Sequence, residues 1–198
     1  MKKECAIYSI SSFKGWESCF RYFMERSDTF SIIFQGDRND TRAVGLNIGK
    51  KEFLDLPLVT ISPYGGMKGS FIVAGELTKA AQDLFLNFIA PSFDGYTSDL
   101  WSFQFLKGNV VTISVEDFSE AFFLLDESEL EDLSSRGVDI KNLDEVGTSS
   151  ASAEEFFSKK AFSKRGLSEL DESNLSALED LSTALVTALK KAFPEATS

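Results

Sequence analysis

The stretch Ser62–Ser70 (SPYGGMKGS) gathers three glycines and a lysine into nine residues. Glycines let backbone amides converge on an anion, and a lysine adds charge. A phosphate or nucleotide cradle at Gly65, Gly66, Lys68 and Gly69 is therefore one chemistry the chain offers. The order argues against a Walker A loop, which is GxxxxGK[ST] opening a helix. Here Lys68 precedes Gly69, a short apolar run follows, and the spacing is not GxGxxG either. A glycine-bearing turn between two strands is the simpler reading.

Histidine is absent from all 198 residues. Ser-His-Asp and Cys-His nucleophilic sites, the HExxH zinc helix and the two-His-one-carboxylate iron site are thereby excluded. The usual general base near neutral pH is missing as well. Calcium loops fail on spacing. A loop starting at Asp126 puts Leu130 and Glu131 at positions five and six, and one starting at Asp37 puts Arg42 at position six. The two cysteines, Cys5 and Cys19, form no CxxC pair and cannot make a four-ligand zinc site. They read as buried free thiols. No catalytic residue, metal site or cofactor is expected.

Charge is the stronger signal. Residues 1–70 hold 10 basic and 8 acidic side chains, whereas residues 71–198 hold 10 and 23. Within 116–145 there are 11 acids against Arg136 and Lys141 alone. Such a block repels phosphate backbones, so direct nucleic-acid binding is not expected. It would steer a basic partner protein, such as a toxin or a nucleic-acid-binding protein. Asp126, Glu127, Glu129, Glu131 and Asp132 are the expected contacts. The plainer alternative is a solvated face that aids solubility.

These residues need elements to hold them. Glu4–Ile10 reads as a strand, and Phe13, Trp16, Cys19, Phe20 and Phe23 mark a helix starting after Ser11 or Ser12. Thr29–Phe34 alternates, and Val44, Leu46 and Ile48 alternate beyond a polar turn, which predicts a hairpin. Leu58–Ser62 and Ser70–Ala74 are short apolar runs. Leu77, Ala81, Leu84, Phe85 and Phe88 mark a second helix, stopped by Pro91. Trp101, Phe103 and Phe105, then Val111, Ile113 and Val115, flank a Lys107–Asn109 turn and form the clearest hairpin. From Asp117 the pattern turns helical and acidic, with capping-box spacing at Asp117 and Glu120 and a terminator at Gly137. Phe122–Leu125 also fits a strand.

The expected fold is α+β: a mainly antiparallel sheet of five to seven short strands covered by two or three helices. The expected domain spans 1–146, with a linker at 147–153 and a helical C-terminal segment at 154–198. That segment has a leucine face from Leu175 to Leu189 and is expected to pack on the main domain. No secretory signal or ~20-residue apolar span is found, so a cytoplasmic protein is expected. The leading functional expectation is a non-enzymatic acidic binding protein, whether inhibitor, immunity-like protein or adaptor. The alternatives are a small phosphate- or nucleotide-using enzyme with its anion site at 63–69, and a dimeric chaperone or scaffold using the C-terminal helix.

Overall fold

Alternation of apolar residues along short segments builds one antiparallel sheet in the computed structural model, which describes residues 2–36, 39 and 42–149. Its strands are β1 (Lys2–Ile7), β2 (Thr29–Phe34), β3 (Thr60–Pro63), β4 (Phe71–Glu76), β5 (Phe103–Lys107), β6 (Val110–Glu116), β7 (Glu120–Leu125) and β8 (Asp144–Ser149). They lie in the order β3-β4-β2-β5-β6-β7-β1-β8. Among the described residues there are four α-helices, α1 (Trp16–Glu25), α2 (Lys50–Leu54), α3 (Lys79–Ile89) and α4 (Glu127–Ser135). The class is α+β as expected, with eight strands rather than five to seven.

The core is aromatic. Phe30, Ile32 and Phe34 of β2 point to the same face as Phe103 and Phe105 of β5 and Ile113 and Val115 of β6, and all are buried. Phe85 of α3 sits among them, with ring centroids 5.3 Å from Phe30, 4.8 Å from Phe53, 5.0 Å from Phe103 and 4.8 Å from Phe105. Edge and tilted contacts of this kind add to the burial itself. Lys50, fully buried beside this core, donates to the Gln35 carbonyl at 3.2 Å and lies over the Phe71 ring. On the opposite face Ala6, Phe122 and Leu124 form a smaller cluster, with Val111 against it.

Four local expectations are corrected. Val44, Leu46 and Ile48 do not form a strand. Gly45 and Gly49 take φ of +52° and +79°, Gly45–Asn47 is a 3₁₀ turn, and α2 follows. A side chain at Gly49 would come within 3.0 Å of the Phe88 ring, so the alternation is overridden by packing of α2 on α3. β2 pairs instead with β4 and β5. Asp117 and Glu120 make no capping box, because Asp117 and Phe118 take φ of +51° and +64° in the turn joining β6 to β7. That turn is held by β5's approach: Phe118 donates to the Trp101 carbonyl at 2.9 Å, and the Trp101 indole donates to Asp117. α1 starts at Trp16, not after Ser11 or Ser12, since Ile10–Ser12 is a separate 3₁₀ turn. The segment from Gly147 to Ser149, expected as linker, is still strand, paired with Lys2–Glu4. The rest of that linker and the 154–198 segment lie outside the described residues.

One glycine fixes how the acidic half meets the N-terminal half. Gly15 caps α1 at φ +89°, and a Cβ there would lie 2.7 Å from both the Gly137 carbonyl and the Val138 Cα. Gly137 ends α4 as expected, at φ +83°, but a Cβ there meets nothing within 4 Å. Gly137→Ala is thus expected to cost about 1–2 kcal/mol, the penalty of a left-handed residue alone. Gly15→Ala adds a backbone clash and should cost about 3 kcal/mol or more. Urea denaturation of the two variants checks the order.

Candidate functional site

The acidic block folds into α4 and the segment that returns to β8. Asp126 is the N-cap of α4, and its carboxylate accepts from the Glu129 N–H at 3.0 Å while Glu129 accepts from the Asp126 N–H at 2.9 Å. This reciprocal box satisfies donors that a helix start would otherwise leave open. Ser128 also donates to Asp126, at 2.7 Å. The Ser128 hydroxyl first, and the Glu129 amide after it, hold the Asp126 carboxyl below its ordinary value.

The five expected contacts divide. Glu129 lies 3.5 Å from the Lys2 ammonium. Asp132 takes the Arg26 guanidinium at 2.6 Å and approaches Arg136, which also donates to Glu25 at 2.9 Å. Both guanidiniums lie over the Tyr22 ring, at 4.1 Å and 5.1 Å. Asp126, Glu129 and Asp132 are therefore half-buried and occupied in holding α4 to β1 and α1. Glu127 and Glu131 are exposed, and no ion pair among the described residues engages them.

A groove of about 380 Å³ opens beside this block, which sequence reasoning did not single out. It is lined by Ile7, Tyr8, Ser9, Ser12, Phe13 and Lys14 after β1, and by Asp139, Asn142 and Asp144 from the opposite wall. The Gly15 approach brings the walls together, and the Asp139 N–H donates to the Lys14 carbonyl at 3.2 Å. Asn142 donates to the Asp139 carboxylate at 2.8 Å, and Ser12 donates to Ser9 at 2.9 Å. Tyr8 is half exposed, with its ring edge-on to Phe122. No ion pair among the described residues engages Asp139 or Asp144. Their place inside the 116–145 block was the available signal. Tyr8 gave none, because it reads as one more strand residue.

The glycine stretch is a hairpin loop joining β3 to β4, with Tyr64 donating to the Ser70 carbonyl and Ser70 to that of Met67. Gly65, Gly66, Lys68 and Gly69 are all exposed on it. Gly69 takes φ +79°, which explains a glycine there without any ligand. The loop belongs to the far end of the sheet from the groove.

Cys5 and Cys19 are buried and free. Burial pushes the Cys5 thiol up to about 11 and the Cys19 thiol higher still, so neither is a ready nucleophile. Among the described residues no three Cys, Asp or Glu side chains converge as metal ligands, and no helix is long and apolar enough to cross a membrane. Comparison with protein-family models, curated proteins and solved structures finds no match to the chain.

The Asp126 shift has a pH consequence. A carboxyl lowered by folding stabilises the fold above its unfolded pKa, and that contribution disappears as pH falls through the lower folded value. The urea midpoint should therefore drop on acidification below about pH 4. Asp126→Asn keeps a capping side chain and should flatten that part of the profile. An unchanged slope would mean that the cap's charge carries no linkage.

Proposed function

We propose that the chain is a non-enzymatic acidic binding protein, an inhibitor, immunity-like protein or adaptor that captures a basic partner protein. One observation carries this reading: after pairing, the unengaged carboxylates of the acidic face outnumber its unengaged ammoniums. Lys2, Lys3, Arg26 and Arg136 are all engaged with carboxylates. Glu127, Glu131, Asp139 and Asp144 are left against the exposed Lys14 and Lys141. The face keeps a negative excess, and part of it lines a groove with hydroxyls and an exposed tyrosine.

A basic side chain entering that groove would meet Asp139 and Asp144 with Tyr8 beside it, a setting suited to charge-assisted hydrogen bonds and ring contact. Glu127 and Glu131 would act at longer range, raising the encounter rate rather than fixing the pose. The expected contact set thus becomes Glu127 and Glu131 with the groove residues, while Asp126, Glu129 and Asp132 hold the surface in shape. A reducing compartment suits the two free thiols, which supports a cytoplasmic site of action.

The test is capture of a partner from the native host by the tagged chain, followed by association kinetics with that purified partner at low and high salt. A basic protein should bind and be lost at high salt. Replacing Glu127, Glu131, Asp139 and Asp144 by their amides should slow association about tenfold and flatten its salt dependence. If the quadruple variant, folded as judged by its melting curve, associates at the wild-type rate, the acidic face is not the binding surface.

A further inference from the structure

The two edges of the sheet are protected unequally. β8 carries Asp144 and Glu145, with Glu145 paired to Lys3. β3 carries no charge, and neither does any position from Leu56 to Met67, in a chain of net charge −11. All four β3 residues are exposed. Ile61 is 41% exposed, and Leu58 just before the strand is 89% exposed at φ +58°. A left-handed bulky residue held out in solvent is costly and uncommon. Open edges are ordinarily blunted by charged side chains, bulges or proline. Among the described residues Pro63 is the only such device on β3.

The ladder to β4 decides which backbone groups face outward. Tyr64 donates to Ser70 at 2.9 Å across the continuation of the hairpin. Alternation then turns Ser62 toward β4, and Ile61, Pro63 and Val59 away from it. Pro63 has no N–H to present on that side, which is where an edge strand tolerates proline.

We propose that β3 pairs with β3 of a second copy of this chain, antiparallel, about a two-fold axis through Ile61. In that register the Ile61 N–H of each copy donates to the Ile61 carbonyl of the other. The Val59 N–H of each donates to the Pro63 carbonyl of the other; the return donor is the one Pro63 lacks, so each Val59 carbonyl stays with water at the ends of the ladder. Thr60 falls opposite Ser62, a hydroxyl pair, and the exposed Leu58 falls opposite Tyr64. The charge distribution selects the occupant. A basic partner finds no carboxylate along 56–67, whereas a like-charged copy meets least repulsion there. β3 lies at the other end of the sheet from β1 and β8, so the pairing leaves the groove open.

The experiment is light scattering and sedimentation of the full chain between about 1 μM and 1 mM, a range that brackets weak protein dimers. The wild type should reach twice the chain mass within that range. Ile61→Pro removes the outward N–H and spares the β4 ladder, and it should give the chain mass throughout. Ile61→Lys and Ile61→Glu should each be monomeric, because residue 61 faces itself, and their equimolar mixture should dimerise again. Melting curves check that each variant folds, and the Lys and Glu pair decides if the proline variant does not. A wild type monomeric throughout overturns the proposal. So does a dimer that persists in the Lys and Glu variants, or a mixture of them that stays monomeric.

Discussion

The arrangement depends on where the Phe85 ring can go. It projects from α3 into a gap bounded by Phe30 of β2, Phe103 and Phe105 of β5, and Phe53 of α2. Filling that gap from one helix forces β2 and β5 to be neighbours, although 68 residues separate Phe34 from Phe103 and only 36 separate Phe34 from Phe71. It also draws α2 over the end of β2, which uses the segment that would otherwise have returned as a hairpin. Among the described residues β2 lies between β4 and β5, and β3 and β8 are the two edges of the sheet. Rings of this size bury enough surface to outweigh the local preferences of a few flanking residues.

Electrostatics in this protein are a matter of placement more than of stability. The sequence separates a mildly basic N-terminal portion from a strongly acidic remainder, but β1 lies between β7 and β8, and α1 lies against α4. Lys2, Lys3 and Arg26 are thereby delivered to Glu129, Glu145 and Asp132. Exposed pairs of this kind contribute about 0–1 kcal/mol each, so they do not hold the fold together. Their effect is to choose which carboxylates stay unpaired. The acids that remain lie on the outer side of α4 and along the groove wall, where a partner can reach them.

How much could be read from the residues alone varied with the physics involved. The β5–β6 hairpin, the extent of α3 and the end of α4 were legible, because strict alternation, a 3.6 period and Gly137 are local signals. The pairing of β2 was not, since the ring cluster that sets it joins residues far apart in the chain. Positive φ at Asp117 and Phe118 was invisible too, for neither residue type advertises a left-handed turn as glycine does. At the candidate site the acidic block was plain, but its division was not. Nothing in the order Asp126, Glu127, Glu129, Glu131, Asp132 says that three are occupied by a cap or a guanidinium and two are not.

The two proposed surfaces obey different laws of distance. Carboxylates on α4 and the groove act through a field screened over about 8 Å at physiological salt. The β3 edge acts through backbone hydrogen bonds, which are short-ranged and directional. A net charge of −11 attracts a basic partner and repels a second copy by the same field. Added salt therefore weakens the first interaction and relieves the repulsion that opposes the second. A chain with both proposed interactions would benefit from keeping its uncharged edge at one end of the sheet and its unpaired acids at the other. The sheet order provides that separation, because β1 and β8 end one side and β3 ends the other.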